Sequence, residues 1–249
     1  MQDSPLNDIR LGEVTASWAR HNQLPVRYEK TTSSTNDLAK EEAFEAAASE
    51  DVKVYLTDHQ SQGRGRGKNG WSEGRAGAAL LSSWSYVLGD PPQPTLPPRV
   101  GLALFKALQN VWPFLPWSLK SPNDIYLNDR KVAGLLLETL SQGPDIRVVV
   151  GLGLNVMDAP ADLETATSIL AQLPAGTPLL GDDWAAFLDR WMFELTDAVA
   201  RAAEPLTTTE QEALRWALNL RPSLKQKITR VRADASLEDG GGVTPWSEI

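Results

Sequence analysis

Apolar positions along this chain recur at two periods, and the changes of period mark the predicted elements. After an irregular start, Pro25 to Lys30 reads as a short extended segment. Thr31-Thr32-Ser33-Ser34-Thr35-Asn36 then offers successive N-caps for a helix from about Asp37 to Ser49. Val52 to Thr57 alternates as a strand, Gln62 to Gly70 is a glycine-rich basic loop, and Ala78 to Tyr86 is strand-like again. Gly89 to Pro98 is dense in proline and is expected to be a connection, followed by an amphipathic helix over Val100 to Val111. Trp117 to Lys120, a Ser121-Pro122-Asn123-Asp124 turn, Ile125 to Leu127 and Val132 to Glu138 follow, the last two joined through Asn128-Asp129-Arg130 as a β-hairpin. Arg147 to Val156 is a further buried strand. From Asp182 to about Glu204 the period is helical, with Trp184, Phe187, Leu188, Trp191 and Leu195 on the core face, and another helix is predicted over Thr209 to Leu220. Leu237 to Gly242 is acidic and glycine-rich, so the last dozen residues are expected to be poorly ordered. No internal repeat interrupts this order.

Consecutive strands with short polar turns argue for an antiparallel or mixed sheet with helices around it, an α+β fold, rather than regular βαβ alternation. The 249 residues, 42% hydrophobic, suit one large domain with or without a small appendage. Cysteine is absent, which removes disulfides, thiolate metal sites and a cysteine nucleophile. His21 and His59 are too few for a histidine-built zinc centre or an obvious histidine-based triad. Chemistry must rest on Lys, Arg, Asp, Glu and backbone groups. Met1 to Arg20 lacks the basic end and apolar run of a signal peptide, and no apolar stretch approaches the roughly 20 residues that cross a bilayer. The expected location is the cytoplasm, without membrane attachment. A net charge of −8 opposes non-specific binding to nucleic acid, so a local basic patch should serve something smaller.

Three segments carry candidate chemistry. In Gln60 to Trp71, glycines let the backbone approach an anion, Arg64, Arg66 and Lys68 could neutralise it, and Trp71 offers a flat face to a purine or another ring. The bland reading is an exposed basic loop. A Walker loop fails on spacing, because Gly63 and Gly67-Lys68 enclose three residues and Asn69 replaces the hydroxyl residue. Gly65 to Gly70 fits the dinucleotide fingerprint, but no helix start follows it. In the second segment, Lys131 enters the apolar strand Val132 to Leu137, and Gly134 leaves backbone uncovered for a flat ligand. Here a solvated strand end, with Asn123 and Asp124 as ordinary turn residues, is the bland reading. In the third, Gly151 and Gly153 lie on one face of a buried strand ending at Asn155, so either a helix or a ligand packs against them.

Together these segments resemble the catalytic domain of biotin protein ligases, from roughly Tyr28 to Val156. The motifs are Ser34-Thr35-Asn36, the Gly-Arg-Gly-Arg loop from Gly63 to Trp71, Pro122-Asn123-Asp124 with Lys131 to Glu138 as Lys-x-Ala-Gly-x-Leu-x-Glu, and Gly151 to Asn155 as Gly-x-Gly-x-Asn. The resemblance implies a class II synthetase-like biotin/lipoate ligase fold. It also implies ATP-dependent activation of biotin to biotinyl-5′-AMP and transfer to a lysine of a biotin carboxyl carrier protein. Biotin would be held by Ser34, Thr35, Asn36, Gln60, Gly63, Arg64, Gly65 and Gly134. Arg66, Lys68, Trp71, Asn123, Lys131 and Asn155 would face ATP or the adenylate, with Lys131 and Arg66 catalytic. Magnesium would accompany ATP through its phosphates, with no protein metal ligand assigned.

The sequence departs from the family in three places. Gly67-Lys68-Asn69-Gly70 replaces the usual Arg/Gly-Gly-Arg run, Ser121 stands where tryptophan commonly precedes Pro-Asn-Asp, and the tail beyond about Thr207 is shorter and more helical than the small β-barrel of many relatives. The expected division is a catalytic domain over 1–206 and a reduced appendage over 207–249. No helix-turn-helix precedes Tyr28, so DNA is not an expected partner, and the expected assembly is a monomer or homodimer. The rival readings are a lipoate or octanoate ligase or transferase of the same fold, and a biotin-binding sensor without turnover.

Overall fold

The computed structural model describes residues 9–45, 51–177, 179 and 181–248. The chain forms two compact units, one of residues 1–87 and 132–173, the other of 88–131 and 174–249. This partition differs from a boundary at residue 207, because the C-terminal segment falls in the same unit as the middle of the chain.

The first unit begins with helix α1 (Leu11–His21), where an irregular start was expected. Its buried face is Leu11, Thr15, Ala16 and Ala19. Small residues make that stripe faint in hydropathy, although Glu13 in the first turn and Arg20 and His21 in the last suit the helix dipole. The helix packs on strands β1 (Val26–Glu29) and β2 (Val52–Thr57), and Trp18 meets Trp84 edge-on at 6.3 Å between centroids. Helix α2 spans Thr35–Glu41, starting earlier and ending sooner than predicted. The part of that prediction over 46–49 lies outside the described residues.

Strands β3 (Ala79–Leu88), β6 (Arg130–Gln142) and β7 (Asp145–Asn155) complete this unit, with the order β1-β2-β3-β7-β6. The β1 and β2 strands run parallel, whereas β2 with β3 and β6 with β7 run antiparallel. With β4 (Trp117–Lys120) and β5 (Asp124–Leu127) the main sheet has seven strands, the mixed sheet that the short turns predicted. Asn128 and Asp129, both at positive φ, form the two-residue turn between β5 and β6.

The second unit packs helix α3 (Leu96–Val111) against α4 (Asp182–Ala200) and α5 (Thr208–Asn219). The α3 helix begins inside the expected proline connection, because proline is tolerated where the first-turn N–H groups lack partners. The predicted aromatic face of α4 is core, and Phe187 sits 5.2 Å from Trp184 and 5.9 Å from Trp112 between ring centroids. Thr207 and Glu210 form a reciprocal capping box at the start of α5. Arg99, 2% exposed, donates to Glu210 at 2.7 Å and to the carbonyls of Arg201 at 2.6 Å and Pro205 at 2.9 Å.

The expectation of a poorly ordered tail is corrected by the structure. Strands β8 (Arg230–Val231), β9 (Leu237–Asp239) and β10 (Gly242–Thr244) form a small antiparallel sheet. The acidic, glycine-rich stretch is strand β9 together with the turn into β10, and a 3-10 turn over Trp246–Glu248 follows with Trp246 buried.

Candidate functional site

The β6 and β7 pair presents a glycine-bearing face in the first unit. Leu136 lies opposite Gly151 and Gly134 opposite Gly153, and directly opposed residues project to the same side. A Cβ at Gly151 would overlap the Asn36 side chain, and one at Gly153 would fall inside the Trp71 indole. The open question about these glycines is thereby answered by protein: α2 presents Asn36 to one and the basic loop lays Trp71 on the other. One face of the Trp71 ring is therefore committed to the strand.

Around Asn36 the structure assembles all four residues expected from the Ser-Thr-Asn motif and Gln60. Ser34, Thr35 and Asn36 are at most 3% exposed. Gln60 Oε1 accepts from the Thr35 backbone N–H at 2.8 Å, supplying the start of α2 with a cap that the Ser34 side chain does not provide. Ser83 Oγ lies 2.8 Å from Thr35 Oγ1 and 2.5 Å from Asn36 Oδ1. The Asn36 amide donates to Glu138 Oε2 at 2.8 Å. His59 Nδ1 lies 2.7 Å from Glu73 Oε1, which also accepts from the Gln60 backbone N–H at 3.1 Å and fixes the segment entering the loop.

The basic loop is a narrow hairpin. Trp71 N–H donates to the Gly63 carbonyl at 2.9 Å and Gly65 N–H to the Asn69 carbonyl at 2.8 Å, with Arg66, Lys68 and Asn69 exposed towards the tip. Arg64 turns back to pair with Asp37 at 2.8 Å and Glu138 at 2.9 Å, and Lys40 reaches Glu138 at 2.5 Å. Burial raises the Glu138 carboxyl, but hydrogen bonds from Lys40 and Asn36 and the charge of Arg64 bring it below its ordinary 4.5, so it stays ionised at neutral pH. A pocket of about 470 Å³ lies between this loop and β6, lined by Gln62 to Gly65, Gly67 to Gly70, Leu136 and Glu138.

Ser83, Asp37 and Lys40 are not among the residues that the sequence singles out, and Glu138 enters there only as the end of a motif. Ser82, Ser83 and Ser85, buried in an otherwise apolar strand, were a visible signal. Asp37 and Lys40 read as an ordinary exposed helix face until the fold sets Glu138 and Arg64 beside them.

The remaining expected residues lie elsewhere. Asn155, 2% exposed, ends β7 with its amide donating to the Thr167 carbonyl at 3.2 Å, while its Oδ1 has no hydrogen-bond partner among the described residues. Asn123 and Lys131 belong to the second unit, where Lys131 Nζ pairs with Asp124 at 2.7 Å. Ser121, which departed from the family pattern, is buried, and its hydroxyl donates to the Trp246 carbonyl at 2.7 Å. Among the described residues no group of three or more His, Asp or Glu is placed to hold a metal ion, and no helix is long and apolar enough to cross a membrane.

Comparison with known proteins follows the same segments. The model of the biotin/lipoate A/B protein ligase family matches residues 28–155. The chloroplastic biotin–protein ligase 1 of Arabidopsis thaliana is 33% identical over 130 residues, which are 50% of this chain and 34% of that protein. A biotin–[acetyl-CoA-carboxylase] ligase of Mycobacterium tuberculosis is 33% identical over 152 residues, 59% of this chain and 55% of its own. The chain thus spans about a third to a half of these curated relatives. A solved biotin protein ligase from Aquifex aeolicus, in complex with biotin and ATP, superposes with a TM-score of 0.65 at 21% identity, covering 90% of this chain and 96% of that one. At that identity the likeness is one of fold.

Proposed function

Because this chain belongs to the biotin/lipoate A/B protein ligase family, we propose that it activates biotin with ATP and transfers it to a lysine of a biotin carboxyl carrier domain. The observation that carries this reading is the convergence of a polar cluster, buried Thr35, Asn36 and Ser83 with half-buried Gln60, and a basic glycine loop beside a pocket of about 470 Å³. Fixed donors and acceptors of this kind orient a polar ring while the loop backbone meets an anion.

In this reading biotin lies along Ser34, Thr35, Asn36 and Gln60 and over Gly134, with Gly63 and Gly65 allowing close approach. Arg64 is matched by Asp37 and Glu138. Its part is to hold the loop against the pocket rather than to supply net positive charge. Arg66 and Lys68 face the phosphates, and Lys131 stabilises the charge that develops as the biotin carboxylate attacks the α-phosphorus and pyrophosphate leaves. Trp71, Asn123 and Asn155 line the adenylate side, where the Asn155 Oδ1 retains an unused acceptor. Magnesium is placed on the triphosphate as part of the substrate. In the second step the carrier lysine amine attacks the mixed anhydride and AMP leaves, with the proton passing to solvent or phosphate.

ATP–pyrophosphate exchange with biotin, lipoate or octanoate tests the assignment. Exchange dependent on biotin alone is expected. Exchange driven by lipoate or octanoate instead would move the chain to the sister activity, and biotin binding without exchange with any acid would make it a sensor.

A further inference from the structure

Two hydrogen bonds tie the end of the chain to the turn that carries Asn123 and Asp124. The Trp246 indole N–H donates to the Pro122 carbonyl at 2.8 Å, and the Ser121 hydroxyl donates to the Trp246 carbonyl at 2.7 Å. Trp246 is 5% exposed and Ser121 2%. A turn held by one bond can pivot about it. Two bonds of opposite sense, one from each partner, fix its orientation as well as its position; the Ser121 bond is buried and the Trp246 bond is partly so.

The surrounding fold is arranged to deliver this contact. The β8 strand packs on α5, and the hairpin of β9 and β10 brings the chain to Thr244 and Pro245, after which Trp246 opens the last 3-10 turn. On the other side, Asp124 opens β5 two residues after Pro122, pairs in register with Lys120, and holds the Lys131 ammonium at 2.7 Å. A displacement of the Pro122 carbonyl is therefore carried through two backbone units to the carboxylate that orients Lys131.

We infer that Trp246 and Ser121 are positioning residues, a C-terminal clamp that sets the Asn123–Asp124 turn and, through Asp124, the Lys131 ammonium. The inference rests on the role proposed above for Lys131. It deepens that role by giving the small C-terminal sheet a part in the adenylation site without contact with substrate. Displacement of a reacting group by even about 1 Å is enough to slow chemistry markedly, so a clamp on the backbone beside Asp124 has a kinetic consequence distinct from its contribution to folding.

The test uses the full chain with Trp246→Phe, which keeps the ring and removes the N–H donor, Ser121→Ala, which removes the hydroxyl, and Ser121→Thr, which retains it. Biotin-dependent ATP–pyrophosphate exchange, biotin Kd without ATP, Tm and amide hydrogen exchange at Asn123 to Ile125 are measured for each. Loss of one net hydrogen bond corresponds to about fivefold to tenfold, so Trp246→Phe and Ser121→Ala are each expected to lower kcat by that factor. The biotin Kd should stay within about twofold, below the threshold at which even one weak contact is lost. Exchange at Asn123 to Ile125 should accelerate, and Ser121→Thr should restore kcat. Unchanged kcat, or a loss of biotin affinity in parallel with Tm, would overturn the clamp as a positioning device. With a parent that exchanges pyrophosphate on none of the acids, the proposed function is what fails, and amide exchange alone decides the clamp: acceleration confined to Asn123 to Ile125 supports it, and unchanged exchange overturns it.

Discussion

Arginine meets glutamate in both units of this protein, with opposite consequences. In the second unit Arg99 and Glu210 are 2% and 6% exposed along their side chains, and Arg99 also donates to three backbone carbonyls, those of Arg201, Glu204 and Pro205, between α4 and α5. In the first unit Arg64 and Glu138 are 35% and 22% exposed, and the same guanidinium is shared with Asp37 while Lys40 shares the carboxylate. A buried pair whose partner is removed leaves an uncompensated charge in a medium that cannot solvate it, whereas a half-exposed pair is relieved by water. The first network is scaffold. The Arg64 network is partly solvated, so breaking one of its pairs costs less than breaking the buried one.

The largest expected effect is on the scaffold. Arg99→Ala should cost about 3–5 kcal/mol of unfolding free energy in a urea titration, because it removes the buried partner of Glu210 and leaves that carboxylate only the longer pair with Arg201 at 3.2 Å and its Thr207 bonds; a loss near zero would erase the distinction between the two networks. Lys131→Ala should leave the unfolding midpoint in place and lower adenylate formation by about 10²–10³-fold, the range for removing one fixed group aimed at developing charge. Unchanged single-turnover adenylation would remove Lys131 from its assigned role.

Gly153→Ala sharpens the comparison from the packing side. Its new methyl must displace Trp71, at a cost of about 1–3 kcal/mol, and should weaken biotin binding by calorimetry because the loop can no longer seat. Arg64→Ala is expected to change stability by less than about 1 kcal/mol while lowering biotin affinity, the reverse of the Arg99 pattern. The mildest probe is acid. Burial acts to raise the Glu210 carboxyl, but the Arg99 and Thr207 bonds lower it from 4.5 to about 2. Since the folded value lies below the unfolded one, its contribution is complete above about pH 4.5 and is lost progressively as pH falls towards 2. Glu210→Gln should flatten stability over that interval.

Much of the site was legible before folding because its signals are local. Glycines beside arginines from Gly63 to Gly70, Gly151 and Gly153 on one strand face, and Ser34-Thr35-Asn36 before a helix each carry their reason in a few residues. The hairpin turn at Asn128 and Asp129 was visible for the same cause, since few residues accept positive φ. The α1 helix escaped because Ala16 and Ala19 bury completely without raising hydropathy much, whereas α3 was legible from Val100 onwards and only its first turn escaped, because prolines that forbid a helix interior are compatible with that turn.

The sequence by itself determined the α+β class, the strands and their turns, and which glycine-rich and polar segments would carry chemistry, since period and turn residues act over short range. Only the tertiary structure decided what occupies the glycine-bare face, that Arg64 is matched by Asp37 and Glu138, that Ser83 completes the polar cluster, and that the acidic tail folds so Trp246 can hold the Pro122 turn. Those outcomes join residues from 27 to 125 positions apart, as from Asp37 to Arg64 and from Ser121 to Trp246. No local propensity encodes such pairings; they exist because strand register and helix packing bring the groups within bonding distance and remove the water that would otherwise satisfy them.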